Sequence, residues 1–241
     1  MEYPNSVEFE LCGSLALFSN ILTRLCGEKT SYAVPTYEAL KGALKRIYWK
    51  PTIEWVIDSV RVMNPIEYES HGVNMSFAPY GRSDKVSDIY RYRFLRNVRY
   101  QVRAHFVWND KQVDMVQDHD EGKHFASALK AIECGGRLNV FFGTSECPAM
   151  VSPCIFGEGE GAYDNDGVRD LGRMYHGLIY PDEAYDEVTE GHIVRCFWDA
   201  KMVNGYIRFP APKDCEEKEV IGDAKMRVFR NIHEKNGKKG E

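Results

Sequence analysis

The stretch from Val98 to Trp108 restricts the fold more than any other part of the chain. Val98, Tyr100, Val102, Ala104, Phe106 and Trp108 alternate with Arg99, Gln101, Arg103 and His105. A period of two becomes one apolar and one polar face only in an extended strand. The apolar face is expected to pack on helices and the other to present positive charge. Just upstream lie Tyr90, Arg91, Tyr92, Arg93, Phe94 and Arg96, and no acidic residue occurs from Ile89 to His105. Strand arginines often decorate a solvated face, but arginines without a neighbouring acid, interleaved with aromatic rings, also suit a polyanion carrying unpaired bases. Arg91, Arg93, Arg99 and Arg103 are therefore the candidates for nucleic-acid contact. The formal net charge of −5 does not by itself point to such a partner. The acid lies elsewhere, in 118–121, 158–170, 182–190 and 216–219, so the distribution is more informative than the sum.

The rest of the chain supplies elements around this strand. Val7, Phe9 and Leu11 alternate with polar neighbours and predict a strand ending at Gly13. Pro35 and Thr36 open a predicted helix in which Tyr37, Leu40, Leu44, Ile47 and Tyr48 follow helical spacing. Glu38 lies in its first turn, Lys45, Arg46 and Lys50 near its end, and Pro51 stops it. Residues 53–69 read as strand material broken at Asn64-Pro65, and 72–88 as a polar, mobile segment. A second helix is predicted from Glu121 to Cys134, with Phe125, Ala128, Leu129 and Ile132 on its apolar stripe and Gly135-Gly136 beyond its end. Leu138 to Phe142 would be the fourth strand. The order strand, helix, strand, strand, helix, strand over residues 5–147 is the ferredoxin-like (RRM-like) βαββαβ arrangement, an α+β fold. Apolar runs at 174–180, 193–198 and 205–209 predict a small antiparallel β region within 148–215, and the charged stretch 216–241 is expected to be a frayed tail.

A chain of 241 residues can bury a core without metal or disulfide staples. Its seven cysteines are scattered and form no Cys-x-x-Cys pair, which fits buried thiols in a reducing cytoplasm. The N-terminus has no basic region followed by an apolar run, and no stretch approaches the roughly 20 apolar residues of a membrane span. Neither export nor membrane insertion is expected.

Three residues could carry chemistry. His124 beside Lys123 at a helix start is a weak signal alone, since an exposed or structural histidine is the commoner outcome. The pair is nonetheless coherent for RNA cleavage through the substrate's own 2′-OH, which needs a base, a cation near the non-bridging oxygens and an acid for the 5′-oxygen. A helix N-terminus adds affinity for phosphate. Tyr48 lies on the apolar stripe of its helix, where core packing is the default, and its phenol is a poor base unless a cation lowers its pKa. Orienting a hydroxyl is less demanding. Asp118, His119, Asp120, Glu121 and His124 match no specific metal site and read better as a turn with acid at a helix start. Neither a metal nor a cofactor is expected. Gly157-Glu-Gly-Glu-Gly-Ala162 formally fits a dinucleotide fingerprint, but its glutamates would repel a pyrophosphate. Asp164-Asn-Asp-Gly167 lacks the first acidic ligand of a calcium loop. Both read as turns.

At Glu28 to Gly42, Ile47-Tyr-Trp-Lys-Pro-Thr52 and Val62-Met-Asn-Pro-Ile66 the sequence resembles a known family. Further matching stretches are Tyr100 to Phe106, Glu121-Gly-Lys-His124, Gly135-Gly-Arg137, Gly143-Thr-Ser-Glu-Cys147 and Asn204 to Pro210. It is similar to the type I-C (Dvulg subtype) CRISPR-associated pre-crRNA endonucleases, the fifth Cas family in its d form, within the RAMP superfamily. The resemblance implies a ferredoxin-like domain with a small C-terminal β region, and metal-independent cutting within the CRISPR repeat. It also implies retention of the crRNA 5′ handle inside a surveillance complex with backbone and large subunits, and leaves contact with double-stranded DNA open. It places the catalytic tyrosine on Tyr48, the lysine and histidine on Lys123 and His124, and an RNA contact on Arg137. Many relatives of this fold only bind, so the alternative is a non-catalytic crRNA-binding scaffold. Leu138 and Ser145 stand where the family often has arginine, which removes positive charge near the expected RNA groove.

Overall fold

The computed structural model describes residues 4–23, 28–77 and 86–229. In chain order the elements are β1 (Val7–Ala16), β2 (Lys29–Thr30), α1 (Tyr37–Ile47), β3 (Ile53–Val62), β4 (Glu67–Phe77), β5 (Val86–Trp108), α2 (Glu121–Glu133), β6 (Val140–Phe141), β7 (Pro148–Pro153), β8 (Val168–Ile179), β9 (His192–Val203), β10 (Tyr206–Arg208) and β11 (Glu217–Asp223). The architecture is mixed α and β, mostly antiparallel sheet with few helices.

The alternating run at 98–108 is the centre of this sheet. β5 pairs antiparallel with β1, Phe9 opposite Val102, and with β3, Trp55 opposite Phe106. β1 pairs antiparallel with β7, and the path through the sheet runs β11-β9-β10-β3-β5-β1-β7-β6. Val98, Tyr100, Val102, Ala104 and Phe106 are all buried, as are Val7, Phe9 and Leu11 of β1. They share a core with Leu40, Leu44 and Ile47 of α1 and Ala128 and Ile132 of α2. Each fully buried Leu, Ile or Phe in this layer contributes about 1.5–3 kcal/mol relative to an exposed one.

Helix α1 begins where Thr36, in extended conformation, accepts a hydrogen bond from the Ala39 N–H at 3.2 Å. It ends at Ile47, three residues short of Lys50, which was expected in its last turns: Tyr48 is extended, at φ −154°. The loop after α2 closes that end. Arg137 N donates to Ile47 O at 3.2 Å and Leu138 N to Arg46 O at 3.1 Å, supplying partners for carbonyls that a helix terminus leaves open. Gly136 permits the approach. It has φ +102°, and a Cβ there would lie 3.2 Å from Leu138 O and 3.3 Å from a Val140 methyl.

Several expectations need correction. The strand beside β1 is Pro148–Pro153, whereas 138–142 contributes only the two-residue β6, hairpinned onto β7. Residues 72–77 and 86–88, expected in a mobile segment, belong to the β4–β5 hairpin, whose register runs from Glu67 opposite Arg96 to Phe77 opposite Val86; the intervening part lies outside the described residues. The supposed tail begins with a strand: β11 pairs with β9, Lys218 opposite Cys196, because the main-chain edge of β9 is open to a partner whatever the charge of its side chains. Residues 230–241 of that tail lie outside the described residues. The stripe of α2 is also rotated from the expected one, with His124, Ala128, Ala131 and Ile132 buried and Leu129 exposed.

The polar face of β5 differs from expectation too. Gln101 and His105 are buried. The glycine-rich segment lies over this face: Gly157 N donates to Gln101 Oε1 at 2.9 Å, Gln101 Nε2 to Glu158 O at 2.8 Å, and Phe156 N to Glu8 Oε2 at 2.8 Å. Arg61, itself buried, pins the same segment through Asp164 Oδ1 at 2.7 Å.

Candidate active site

The rotation of α2 decides the site. Asp120, extended at the N-cap, accepts from Lys123 N at 3.0 Å and fixes the first turn. Adjacent helical residues point about 100° apart, so Lys123 projects into solvent with 48% of its side chain exposed while His124 is 0% exposed. His124 faces the end of α1, where Tyr48 is 2% exposed. Tyr48 Oη and His124 Nδ1 are 2.7 Å apart. The other imidazole nitrogen, Nε2, lies 2.8 Å from the backbone oxygen of Asp118 and 3.4 Å from its Oδ2.

This geometry assigns the tautomer. A backbone carbonyl only accepts, so Nε2 carries the hydrogen, and in a neutral ring Nδ1 then accepts from the Tyr48 hydroxyl. Asp118, at the end of the 3₁₀ turn Val113–Asp118, is a hub. Its carboxylate pairs with Lys123 Nζ and accepts from Thr52 Oγ1 at 3.2 Å. Burial would push its pKa up, but the Lys123 hydrogen bond and charge outweigh that and hold it below the usual carboxylate range. Lys123 is correspondingly pushed up, first by its hydrogen bond to Asp118.

Tyr48 is held from several sides. Trp55 Nε1 donates to its carbonyl at 2.7 Å, and the Arg137 guanidinium lies 4.4 Å from its ring centroid. Burial pushes the phenol pKa up, against a hydrogen bond with Ser127 and the charge of Arg137, so Tyr48 is a protonated phenol at neutral pH. Trp108 and Phe106 present ring contacts to His124 at 5.7 and 6.2 Å, and Trp108 stacks on His119 at 4.4 Å. Lys123 and Arg137 are the exposed cations beside an otherwise dry pair. Among the described residues no group of three or more His, Cys, Asp or Glu could hold a metal ion; Asp118 and Asp120 are occupied by Lys123 and the helix cap.

Tyr48, Lys123, His124 and Arg137 thus come together, although they lie on two helix ends and a loop. The strand arginines do not join them as one free surface. Arg99 pairs with Glu10 at 2.9 Å, Arg103 with Glu8 at 2.7 Å, and Arg96 with Glu67 at 2.8 Å. The missing acid comes from neighbouring strands, which local sequence cannot show. Arg91 and Arg93 have no carboxylate partner among the described residues, and Arg93 lies 4.1 Å over the Tyr68 ring. Asp118 is the residue that sequence reasoning undervalued. Its placement five residues before Lys123 was the available signal, hidden by its resemblance to an ordinary acidic turn.

The chain as a whole is similar to known proteins. A CRISPR pre-crRNA endoribonuclease Cas5d from Thermus thermophilus is 26% identical over 86% of this chain and 92% of its own. Another of the same name, from Mannheimia succiniciproducens, is 31% identical over 44% of this chain, a match spanning 55% of that relative. The solved structure of a functionally uncharacterized protein from Streptococcus mutans superposes with a TM-score of 0.71 at 34% identity, covering 89% of this chain and 96% of that one. No helix among the described residues is long and apolar enough to cross a membrane. The model of the CRISPR-associated protein (Cas_Cas5) family in its Cas5d form matches residues 6–210, and with that span the chain belongs to the Cas5d family.

Proposed function

We propose that this protein is a CRISPR pre-crRNA-processing endoribonuclease that cuts within the repeat without metal and retains the 5′ handle of the product as a subunit of a cytoplasmic surveillance complex. The observation that carries the reading is the hydrogen-bonded line from Tyr48 through His124 to Asp118, bordered by the exposed cations Lys123 and Arg137, in a chain whose relatives are named as enzymes of this kind. The framework is ferredoxin-like. The antiparallel order β3-β5-β1-β7 supports this, with α1 and α2 as its crossovers. On that pairing the ferredoxin-like unit, read from sequence as 5–147, runs on through β7, and β8 to β11 form the antiparallel companion.

In this mechanism the substrate 2′-OH loses its proton to Tyr48 as the phenol passes its own to His124 Nδ1, so the imidazole is the base and the tyrosine orients and relays. The 2′-oxygen bonds to phosphorus, the P–O5′ bond breaks, and the 5′-oxygen takes a proton from water, while His124 returns the one it gained to solvent and resets the site. The products carry a 2′,3′-cyclic phosphate and a 5′-OH. Lys123, drawn from Asp118 by the phosphate, stabilises charge on the non-bridging oxygens, and Arg137 and the β4–β5 arginines Arg91 and Arg93 hold the RNA backbone. The complete burial of His124 favours one second reading, a scaffold of the same fold that binds crRNA without cutting.

Incubation of the purified protein with its repeat RNA in EDTA separates the two. The expected result is one cut, a cyclic phosphate on the upstream fragment, and an intact strand when a single 2′-deoxy nucleotide replaces the attacking one. Cleavage of the deoxy-substituted RNA at the same bond would make water the nucleophile. Tight binding with no cleavage would support the scaffold.

A further inference from the structure

The chain returns to the site after its last strand. Ala224 N donates to Gly191 O at 2.9 Å, and residues 224–226 wall a cavity of about 540 Å³ together with Lys111 and Pro181. The segment then reaches Gln112, a buried side chain whose amide is fully engaged by this piece of backbone. Gln112 Nε2 donates to Arg227 O at 2.7 Å, and Phe229 N donates to Gln112 Oε1 at 3.0 Å. The Phe229 ring makes an edge contact with Trp49 at 5.7 Å.

Both anchors adjoin the groups that must be placed for chemistry. Trp49 follows Tyr48, the extended C-cap of α1, whose N–H makes the helix's closing bond to Leu44 O at 2.9 Å. Gln112 precedes the 3₁₀ turn Val113–Asp118, whose last residue accepts from His124. That turn has no buried residue of its own, so its position depends on its ends. A two-bond clamp on a buried amide, combined with a ring contact to Trp49, ties the two ends of the Tyr48–His124–Asp118 line to one segment. A buried amide engaged at both atoms is costly to break, because each group left open would stay without a partner.

We propose that residues 224–229 form a positioning strap for the cleavage reaction: Gln112 and Phe229 hold Asp118 and Tyr48 in register with His124, without touching RNA. The inference rests on the endoribonuclease reading above. It assigns this end of the chain a part in turnover that its charged, poorly patterned sequence does not suggest. A misplacement of the order of 1 Å at a reacting group costs as much as about 100-fold in rate.

The test uses the full chain and its variants Gln112→Ala, Phe229→Ala and Phe229→Tyr with a repeat RNA. Single-turnover cleavage is expected to fall about 10- to 100-fold in the two alanine variants, while RNA affinity stays within about twofold, since the strap is not a phosphate contact. Phe229→Tyr, which keeps the ring, should restore the rate. A second readout is independent of cutting: the imidazole ¹⁵N resonances of His124, which report Nδ1 as an acceptor, should shift in both alanine variants. If the wild type does not cut, the enzymatic reading fails, and the resonances alone decide whether the strap positions His124. Folded alanine variants that cut at the wild-type rate, or leave the His124 resonances unmoved, would overturn the proposal.

Discussion

Replacing Tyr48 by phenylalanine removes one oxygen from the site and little else. The ring keeps its packing and its contact with Arg137 at 4.4 Å, and the main chain keeps the Trp55 indole on its carbonyl. What is lost is the 2.7 Å hydrogen bond to His124 Nδ1, together with the one to Ser127. His124 is fully buried, so water does not replace the lost donor, and an open buried acceptor costs about 1–3 kcal/mol. For a chain of this size that corresponds to a fall in melting temperature of roughly 2–12 °C. Cleavage should fall much further, by about 10²- to 10⁴-fold, the scale of one general acid or base. RNA affinity should hold, because Lys123 and Arg137 are untouched. A double-mutant cycle with His124→Ala sharpens the test: groups acting as one relay give a double variant little slower than the worse single one. The assay is single-turnover cleavage of end-labelled repeat RNA, with thermal unfolding in parallel. A folded Tyr48→Phe protein that cuts at the wild-type rate, or rate losses that simply multiply, would refute the relay.

Other outcomes follow from the same geometry. Arg91→Ala with Arg93→Ala should flatten the salt dependence of RNA binding by about one unit per lost phosphate contact, while Arg99→Ala with Arg103→Ala should change it less, because those cations are already offset by Glu10 and Glu8; equal slopes would show that the glutamates release their partners. Burial pushes the His176 pKa down to about 4, so the unfolded chain takes up a proton near its ordinary value that the folded chain refuses. Stability should therefore fall on acidification from about pH 6.5 to 4, by up to about 3 kcal/mol, and urea titrations of His176→Phe should show a flatter decline. Glu183 lies 2.5 Å from buried Lys41 and 3.2 Å from Lys45. Glu183→Ala should cost about 3–5 kcal/mol by stranding the Lys41 charge, whereas Glu219→Ala, at the exposed pair with Arg195, should cost less than about 1 kcal/mol in the same denaturation series.

Periodicity located the central strand and both helices because their apolar faces meet one core. It failed where a partner distant in sequence decides. Leu138 to Phe142 looks like a strand by composition, yet β1 is paired by Pro148–Pro153, whose two prolines argue against a strand interior. The β5 arginines looked uncompensated because Glu8 and Glu10 lie roughly ninety residues earlier in the chain, about a strand spacing away in the sheet. Within the site, the helix start at Asp120 was legible, but which face of α2 turned inward was not. The expected stripe held Phe125 and Leu129 beside Ala128 and Ile132, whereas the helix turns His124 and Ala131 inward with Ala128 and Ile132. Arg137 followed from a short motif; its place over Tyr48 depends on Gly136.

The strand at the chain's end bears on how this protein survives at cellular concentration. β9 alternates buried Val194, Cys196, Trp198, Ala200 and Met202 with exposed or half-exposed neighbours, a pattern that another chain could extend by main-chain pairing. β11 occupies that open side at 192–197 and turns Glu217, Lys218, Glu219 and Asp223 outward, leaving a margin of mixed charge. Such a margin repels a second strand of the same sequence and discourages runaway stacking. Shortening the chain before Glu217 would bare that sticky flank and remove residues 224–229 with it, so precipitation would accompany any loss of the strap's hold on Tyr48 and Asp118.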